Sequence, residues 1–232
     1  MTSLFHTFFT QPLIDSLVFL YNYVAFQDLG LAIILLTFAI RLALFPLFYK
    51  GFRNQTLLQK IQPEIEKIQQ LHKNDREKQG LAMMELYRQH KVNPFSSFLI
   101  ILIQLPILIG LYNVFLHPPA ELNSLFLGFV DLKSRNLIMV AVAAVLQYLQ
   151  GKLGLPKVKA GQENSPSFKM AKNMVFLGPL ITVAVLYTLP SAIGLYWLAT
   201  TIFSIGQQLY INKQLKKEEK DGNTTTDNPK IS

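Results

Sequence analysis

Long apolar blocks alternate with charged segments along the chain, and this pattern predicts helices that cross a membrane. A bilayer core of about 30 Å is spanned by about 20 apolar residues in a helix. Five blocks meet or approach that length: residues 29–50, 94–116, 136–151, 173–189 and 191–211. The third block is short, which favours local bilayer thinning or burial against neighbouring helices. We therefore predict an all-α membrane protein with five transmembrane helices.

The segment before the first block, residues 1–28, contains a weaker amphipathic pattern. From Pro12 to about residue 26 the large apolar side chains recur on one helical stripe, and Asp15 lies off that stripe. A short amphipathic helix that carries a charge is typical of the membrane interface, and Pro12 suits a first helical turn. We predict an N-terminal interfacial helix, and a poor transmembrane helix is the alternative.

Residues 51–93 separate the first two blocks and are polar but regularly patterned. Apolar residues recur there at spacings of three and four in two runs. The runs are Leu58, Ile61, Ile65 and Ile68, then Leu81, Met84 and Tyr87. A turn at residues 72–74 separates them, and Pro63 favours a helix start or bend. The segment is therefore predicted to be a cytosolic helical hairpin.

Lysine and arginine are distributed unevenly, which sets the expected orientation. Nineteen of the 22 lie in residues 50–91, 152–172 and 212–232, whereas residues 117–135 contain two and residues 1–28 contain none. The three basic segments are therefore expected in the cytosol: the helical hairpin, a loop and a C-terminal tail. The N-terminus is then outside, followed later by an extracytoplasmic loop at 117–135. The tail is polar and is expected to be disordered.

Composition narrows the classes of function. Half of the 232 residues are hydrophobic, 16% are charged, and the net charge is +8. The absence of cysteine excludes disulfides and thiolate chemistry. The four histidines lack metal-ligand spacing, and no phosphate-binding glycine loop or nucleophile elbow is present. We expect no cofactor, no metal and no catalytic residue. The first residues lack a basic signal region, so we also expect no leader.

Arg41 is the one charged side chain between Leu29 and Tyr49 in the first apolar block. A cation near the middle of a span costs about 2.5 to 3.5 kcal/mol on the insertion scale, so such residues usually face a wet cavity. Arginine near a helix end can instead reach the interface. Lys50 lies about 13 Å further along a helix, close to the half-thickness of the core. A functional polar cavity and a snorkelling arginine therefore both remain open.

Other polar side chains are expected at the same depth in the membrane as Arg41, or on the same face of its helix. A polar side chain in lipid needs a hydrogen-bond partner, and a contact with another helix commonly provides it. Each taken alone suits ordinary packing between helices, but their convergence on an arginine indicates a hydrated groove. The candidate groove residues are Arg41, Thr37, Gln104, Trp197, Thr201 and Ser204.

Four sequence runs resemble the YidC/Oxa/Alb family of membrane protein insertases, in matching order over about residues 10–212. They are LTFAIRLALFP at 36–46, LYRQHKVNP at 86–94, LIQLPILIGLY at 102–112 and LPSAIGLYW at 189–197. The resemblance implies five spans around a hydrophilic groove that opens to the cytosol and the lipid but not to the outside. Arg41 would be the groove cation, with Thr37, Gln104 and Trp197 lining the groove.

The resemblance also implies function and partners. Such a protein receives nascent or small membrane proteins, releases their helices sideways into lipid and translocates short polar tails. The cytosolic hairpin would receive substrates, and the hairpin, loop and basic tail are expected to contact the ribosome; the Sec translocon is a further expected partner. An anchor that follows the positive-inside rule explains the basic tail almost as well. We expect a minimal bacterial-type member in the plasma (inner) membrane.

Two other classes of function are weighed against an insertase. A transporter or channel should show paired charges within the membrane or internal repeats. An intramembrane enzyme needs a nucleophile with a base, or metal ligands, at one depth. Neither pattern is found in the sequence.

Overall fold

The computed structural model describes residues 6–116, 122–155 and 166–225. Within those ranges the chain forms a π-helical turn at His6–Thr10, nine α-helices and one short β-hairpin. The elements are α1 (Gln11–Tyr23), α2 (Leu29–Ala43), α3 (Phe45–Lys60), α4 (Gln62–Leu71), α5 (Arg76–Gln89), α6 (Ser96–Leu116), β1 (Leu125–Phe126), β2 (Val130–Asp131), α7 (Leu137–Leu153), α8 (Pro166–Leu186) and α9 (Ser191–Thr225). The all-α class is thus observed, apart from the β-hairpin.

Helix α9 is the centre of the bundle. It packs against α2 on one side and α7 on the other, and α7 in turn packs against α8. Helix α6 packs against α3 and the N-terminal π-helical turn. Buried apolar side chains from α1, α2, α6, α9 and the segment around the β-hairpin form the largest core. A smaller core joins α7, α8 and α9.

The first apolar block is broken in two, which corrects the single helix expected over residues 29–50. Helix α2 begins at its N-cap Asp28, whose Oδ1 accepts a hydrogen bond from the backbone N–H of Leu31 at 2.9 Å. It ends at Leu44, because Pro46 has no N–H and its ring crowds the preceding turn. Helix α3 continues at 72° to α2.

Length and composition identify fewer membrane-crossing helices than the five expected. Within the described ranges, one helical stretch, Phe168–Leu186, is long and apolar enough alone. The bent pair α2 and α3 is a second if it is one broken span. Leu102–Val114 and Leu137–Leu153 are shorter apolar stretches.

The segment 51–93 folds differently in detail from the expected hairpin. Its first part belongs to α3, and α4 and α5 then pack around a small core of Ile61, Ile65, Leu86 and Val92. Leu81 and Met84, expected on the packed stripe, are 62% and 70% exposed, whereas Leu86 is 6% exposed. Met83, Leu86 and Tyr87 pack towards α4 instead, so the packed stripe of α5 is rotated from the expected one.

The C-terminal segment is helical as far as Thr225, so the expectation of a disordered tail over residues 212–232 is wrong for that part. Lysine, glutamine and glutamate are good helix formers, and tertiary contacts hold the extension. Leu215 is buried, and Glu218 accepts a hydrogen bond at 2.8 Å from Arg53 on α3. Residues 226–232 lie outside the described ranges.

The structure describes parts of the two loops that the sequence predicts. Helix α8 begins at Pro166, seven residues before the expected start of the fourth block, and proline suits a helix start. Residues 156–165 of the cytosolic loop and residues 117–121 of the extracytoplasmic loop lie outside the described ranges. The rest of the second loop contains the antiparallel β-hairpin, in which Leu125 pairs with Asp131.

The β-hairpin closes one end of the bundle. Oδ2 of Asp28 accepts a hydrogen bond from the backbone N–H of Leu127 at 2.6 Å. Phe126 packs so closely on α2 that a Cβ added at Gly30 would overlap its ring. The Oγ of Ser191 donates to the carbonyl of Ser134 at 2.6 Å, which fixes the start of α9 beside this loop. We call this end of the molecule the β-hairpin end.

Candidate functional site

Arg41 lies in the last turn of α2 and is only 5% exposed. Its Nη2 donates a hydrogen bond at 3.2 Å to Oε1 of Gln104 on α6. The Nε2 of Gln104 donates in turn to the hydroxyl oxygen of Tyr196 on α9. Three helices distant in sequence thus meet at one buried cation. We call these three residues the Arg41 cluster.

The bend after α2 gives Arg41 a further contact. Its guanidinium carbon lies 4.2 Å from the ring centroid of Phe48 on α3, and Phe48 is completely buried. In a straight helix two residues seven apart are separated by about 10 Å along the axis. The 72° break therefore brings the aromatic face under the cation. A desolvated cation–π contact of this kind contributes up to about 2 kcal/mol.

Some buried polar atoms of α2 and α9 remain without a partner. Within the described residues, Nη1 of Arg41 and both polar atoms of the Gln207 side chain make no hydrogen bond, although each is buried. Gln207 lies on the face of α9 that also carries Tyr196 and Phe203, and Phe203 packs against Phe38 of α2. Buried polar groups are costly unless they are satisfied. The interface between α2 and α9 thus has hydrogen-bonding capacity that the described protein atoms do not use.

The other candidate groove residues satisfy their hydroxyls within their own helices. Thr37 donates to the carbonyl of Ile33 at 2.7 Å, Thr201 to Trp197 at 2.8 Å and Ser204 to Thr200 at 2.8 Å. This back-bonding is a common way to place a hydroxyl in an apolar helix. Each hydroxyl oxygen keeps lone pairs that can accept from another group. All three residues are buried.

Trp197 is half-buried against the smaller core formed by α7, α8 and α9. Its neighbour Tyr196, absent from the sequence-based candidates, is the residue that reaches Gln104. The expected stripe of Trp197, Thr201 and Ser204 lies one residue further along α9, and its place in a groove stays a prediction. Tyr196, Thr200 and Phe203 form the adjacent stripe at helical spacing, which was the available signal. Of the six candidates, the structure joins Arg41 and Gln104 directly.

The site has no metal-binding character in the part of the chain that the structure describes. No group of three or more His, Cys, Asp or Glu side chains is arranged there to hold a metal ion. The groups at the Arg41 cluster are a cation, an amide and a phenol. Such groups bind and orient polar ligands by charge and hydrogen bonds.

The sequence model of the family described as 60Kd inner membrane protein matches residues 19–219. The chain belongs to this family. A relative from Magnetococcus marinus named membrane protein insertase YidC is 38% identical over 218 residues, covering 92% of this chain and 37% of the relative. One of the same name from Fusobacterium nucleatum is 36% identical over 189 residues, covering 81% of this chain and 87% of the relative.

A solved structure shows the same fold. The crystal structure of an active YidC insertase with its first transmembrane domain resolved superimposes with a TM-score of 0.64 at 25% identity. The match covers 87% of this chain and 45% of that protein. This chain thus spans well under half the length of several curated relatives that it matches. The comparisons confirm the resemblance to the YidC/Oxa/Alb insertases, and the family's description places the chain among inner membrane proteins.

Proposed function

We propose that the chain is a membrane protein insertase that receives nascent or small membrane proteins in a hydrophilic groove, translocates their short polar tails and releases their helices into lipid. The observation that carries the proposal is the buried Arg41 cluster, where three helices direct polar groups to one place in an apolar bundle. Thr37, Trp197, Thr201 and Ser204 would line the groove around it.

Charge and hydrogen bonding make this activity physically reasonable. A polar tail that crosses hydrocarbon must leave its charges and backbone groups without partners, which costs several kcal/mol per group. A cation with one unpaired nitrogen attracts an acidic tail and gives it a partner within the apolar layer. The substrate's apolar helix then moves into lipid because its surface is removed from water. No covalent step, nucleotide or metal enters this mechanism.

The expected orientation gives the groove one open side. If the basic segments are cytosolic, the β-hairpin end faces outwards, where Asp28 and Ser191 fasten the loop over the bundle. The α3 to α5 region and the C-terminal part of α9 then project into the cytosol. We propose them as contacts for the ribosome, with the bilayer, the substrates and the Sec translocon as further partners. The chain would cross the plasma membrane five times with its C-terminus inside.

Reconstitution tests the proposal directly. The purified protein is placed in liposomes that contain no translocation channel, and a small single-span substrate is added. Insertion is scored by protection of the substrate tail from added protease. We expect protection to be faster than in empty liposomes and to depend on the amount of insertase. Equal rates with and without the protein would refute the insertase function.

A further inference from the structure

A second polar cavity lies at the end of the bundle opposite the β-hairpin. Its volume is about 390 Å³, within the range of ligand-binding cavities. Helices α3, α7, α8 and α9 surround it. Its polar lining consists of one threonine hydroxyl and five side-chain amides: Thr56, Gln55, Gln59, Gln147, Gln150 and Gln208. We call it the glutamine cleft.

The described lining of the glutamine cleft carries no charge. Within residues 6–116, 122–155 and 166–225, the lining contains, apart from its amides and one hydroxyl, only glycine and apolar side chains. This is unexpected on a basic face of a protein with net charge +8. A cleft that held phosphate or lipid headgroups would be expected to present cations. The composition therefore favours a neutral ligand that both donates and accepts hydrogen bonds.

Most of the amides are free to bind such a ligand. Within the described residues, the side chains of Gln55, Gln59, Gln147 and Gln150 make no hydrogen bond to the protein, although three of these four are partly buried. Each glutamine side chain has two N–H donors and a carbonyl acceptor. An extended polypeptide offers one N–H and one C=O per residue. The two sets of groups are complementary.

The walls of the cleft are held in place by the remaining polar groups. Nε2 of Gln208 donates to Oγ1 of Thr56 at 3.0 Å, which ties α9 to α3. Nδ2 of Asn212 donates to the carbonyl of Leu153 at 3.5 Å, which ties α9 to α7. Gly151 lets α8 approach α7, since an added Cβ would lie 3.4 Å from Cα of Val175. The cleft is thus framed by contacts between three pairs of helices.

The cleft is in line with the Arg41 cluster. Gln208 follows Tyr196 by twelve residues on α9, a distance of about 18 Å along the helix. The buried hydroxyls of Thr201 and Ser204 lie between them on the same helix. The cleft is on the side that the charge distribution assigns to the cytosol. A chain entering from that side meets the cleft before it reaches Arg41.

We propose that the glutamine cleft binds the extended backbone of an incoming membrane protein through amide hydrogen bonds, before its polar tail reaches Arg41. The inference rests on the proposed insertase function and adds a first binding site to it. Because backbone groups are the same in every sequence, binding at the cleft is independent of the charge of the substrate tail. Only the Arg41 cluster then distinguishes substrates by the charge of their tails.

Site-specific photo-crosslinking tests the proposal. The photoreactive residue p-benzoylphenylalanine is placed at position 174, where Met174 lines the cleft without contributing an amide. The matched control carries the same probe at position 170, where Met170 lies about one turn away on α8, outside the lining. Liposomes holding each protein receive a single-span substrate and are illuminated. We expect substrate adducts at position 174 and few at position 170, with equal yields for acidic and neutral tails.

Two kinds of variant then test the chemistry in the position-174 protein. Gln147→Leu with Gln150→Leu removes two amides at similar volume, and Gly154→Met fills the cleft. A Cβ at position 154 meets nothing closer than 3.5 Å, so the backbone tolerates it. We expect the double variant to lower adduct yield by about fivefold or more, since each lost hydrogen bond is worth a factor of about five. Gly154→Met should also lower the adduct yield.

Controls use the same substitutions away from the cleft. Gln11→Leu removes an exposed amide on α1, and Gly206→Met adds a side chain on α9, outside the lining, where no atom lies within 4 Å. Both should leave adducts unchanged, and thermal unfolding of every variant checks folding. Insertion could be normal while position 174 gives no adducts, or gives adducts that neither cleft variant reduces. Either result overturns substrate binding at the cleft and leaves the insertase function intact. Absence of insertion by the wild-type protein overturns both.

Discussion

Nη2 of Arg41 lies 3.2 Å from Oε1 of Gln104, so a cation at the end of α2 is bound by a neutral amide on α6. An amide satisfies part of the guanidinium without neutralising its charge. A carboxylate in the same place would form an ion pair and compete with any acidic substrate for the cation. The neutral partner therefore suits a cation that binds ligands transiently.

Gln104→Leu should reduce both stability and insertion. It removes the acceptor of a charged hydrogen bond and leaves the Tyr196 hydroxyl without its donor. Such a hydrogen bond contributes about 1.5 to 3 kcal/mol, so we expect a loss of that order in detergent unfolding experiments. The control is Gln11→Leu, which alters an exposed glutamine on α1. Unchanged stability would mean that the Arg41–Gln104 contact is not maintained.

Gln104→Glu separates charge from hydrogen bonding at the same position. Glutamate keeps the acceptor and adds a negative charge beside Arg41. We expect insertion of substrates with acidic tails to fall more than that of substrates with neutral tails. The new carboxylate forms an ion pair with Arg41 and competes with an acidic tail for it. Insertion rates of matched tails in liposomes measure the effect. An equal loss for both tails would argue against electrostatic capture.

Arg41→Lys should keep much of the activity, and Arg41→Ala should lose it most for acidic tails. Lysine retains the charge but lacks the planar group that lies over Phe48 and reaches Gln104. Alanine removes the charge altogether. The same matched tails provide the measurement. If Arg41→Ala inserts every substrate as well as the wild type, hydration of the groove matters and the cation is dispensable.

The depth of Arg41 and Gln104 was predictable from the sequence, but their third partner was not. Counting residues along two spans places both at one level. Finding Tyr196 as the partner of Gln104 required the rotation of α9, which packing against α2 and α7 determines. A helical stripe in an apolar helix leaves that rotation open, because most of its faces are hydrophobic.

The places where helices break or end were also only partly predictable from the sequence. Pro46 was visible in the sequence, yet whether a proline bends or ends a helix depends on what the following segment packs against. Here Phe48 is buried beneath Arg41, and α3 packs on α6. The helical end of the chain was missed for a related reason. Its polar composition indicates disorder, but Leu215 and the bridge between Arg53 and Glu218 fix it to the bundle.

Asp28→Ala should loosen the β-hairpin end. One carboxylate oxygen caps α2 through Leu31, and the other accepts the N–H of Leu127. Loss of an N-cap costs about 1 kcal/mol. We expect faster hydrogen exchange at the Leu31 and Leu127 amides, measured by mass spectrometry in detergent. Asp15→Ala, in which an exposed carboxylate bound to Gln11 is removed, is the control. Equal exchange in both variants would exclude a fastening role for Asp28.

The hairpin of α4 and α5 should lose the first turn of α5 in acid. The backbone N–H of Lys78, followed by its ammonium group, holds the pKa of Asp75 below its ordinary value of 3.8. A lowered pKa in the folded state means that the carboxylate adds stability above the ordinary pKa. That stability is lost as pH falls through the lower, folded value.

An NMR titration in micelles checks both the pKa and its consequence. The amide shift of Lys78 reports the charge on Asp75, and Cα shifts report helicity in the first turn of α5. We expect a midpoint below 3.8, with helical shifts decreasing through it. Asp75→Asn keeps a capping oxygen without a titrating group, so its Lys78 amide should lack this transition and its first turn should stay helical. A wild-type midpoint at or above the ordinary value would contradict the cap, because an N–H donor stabilises the ionised form.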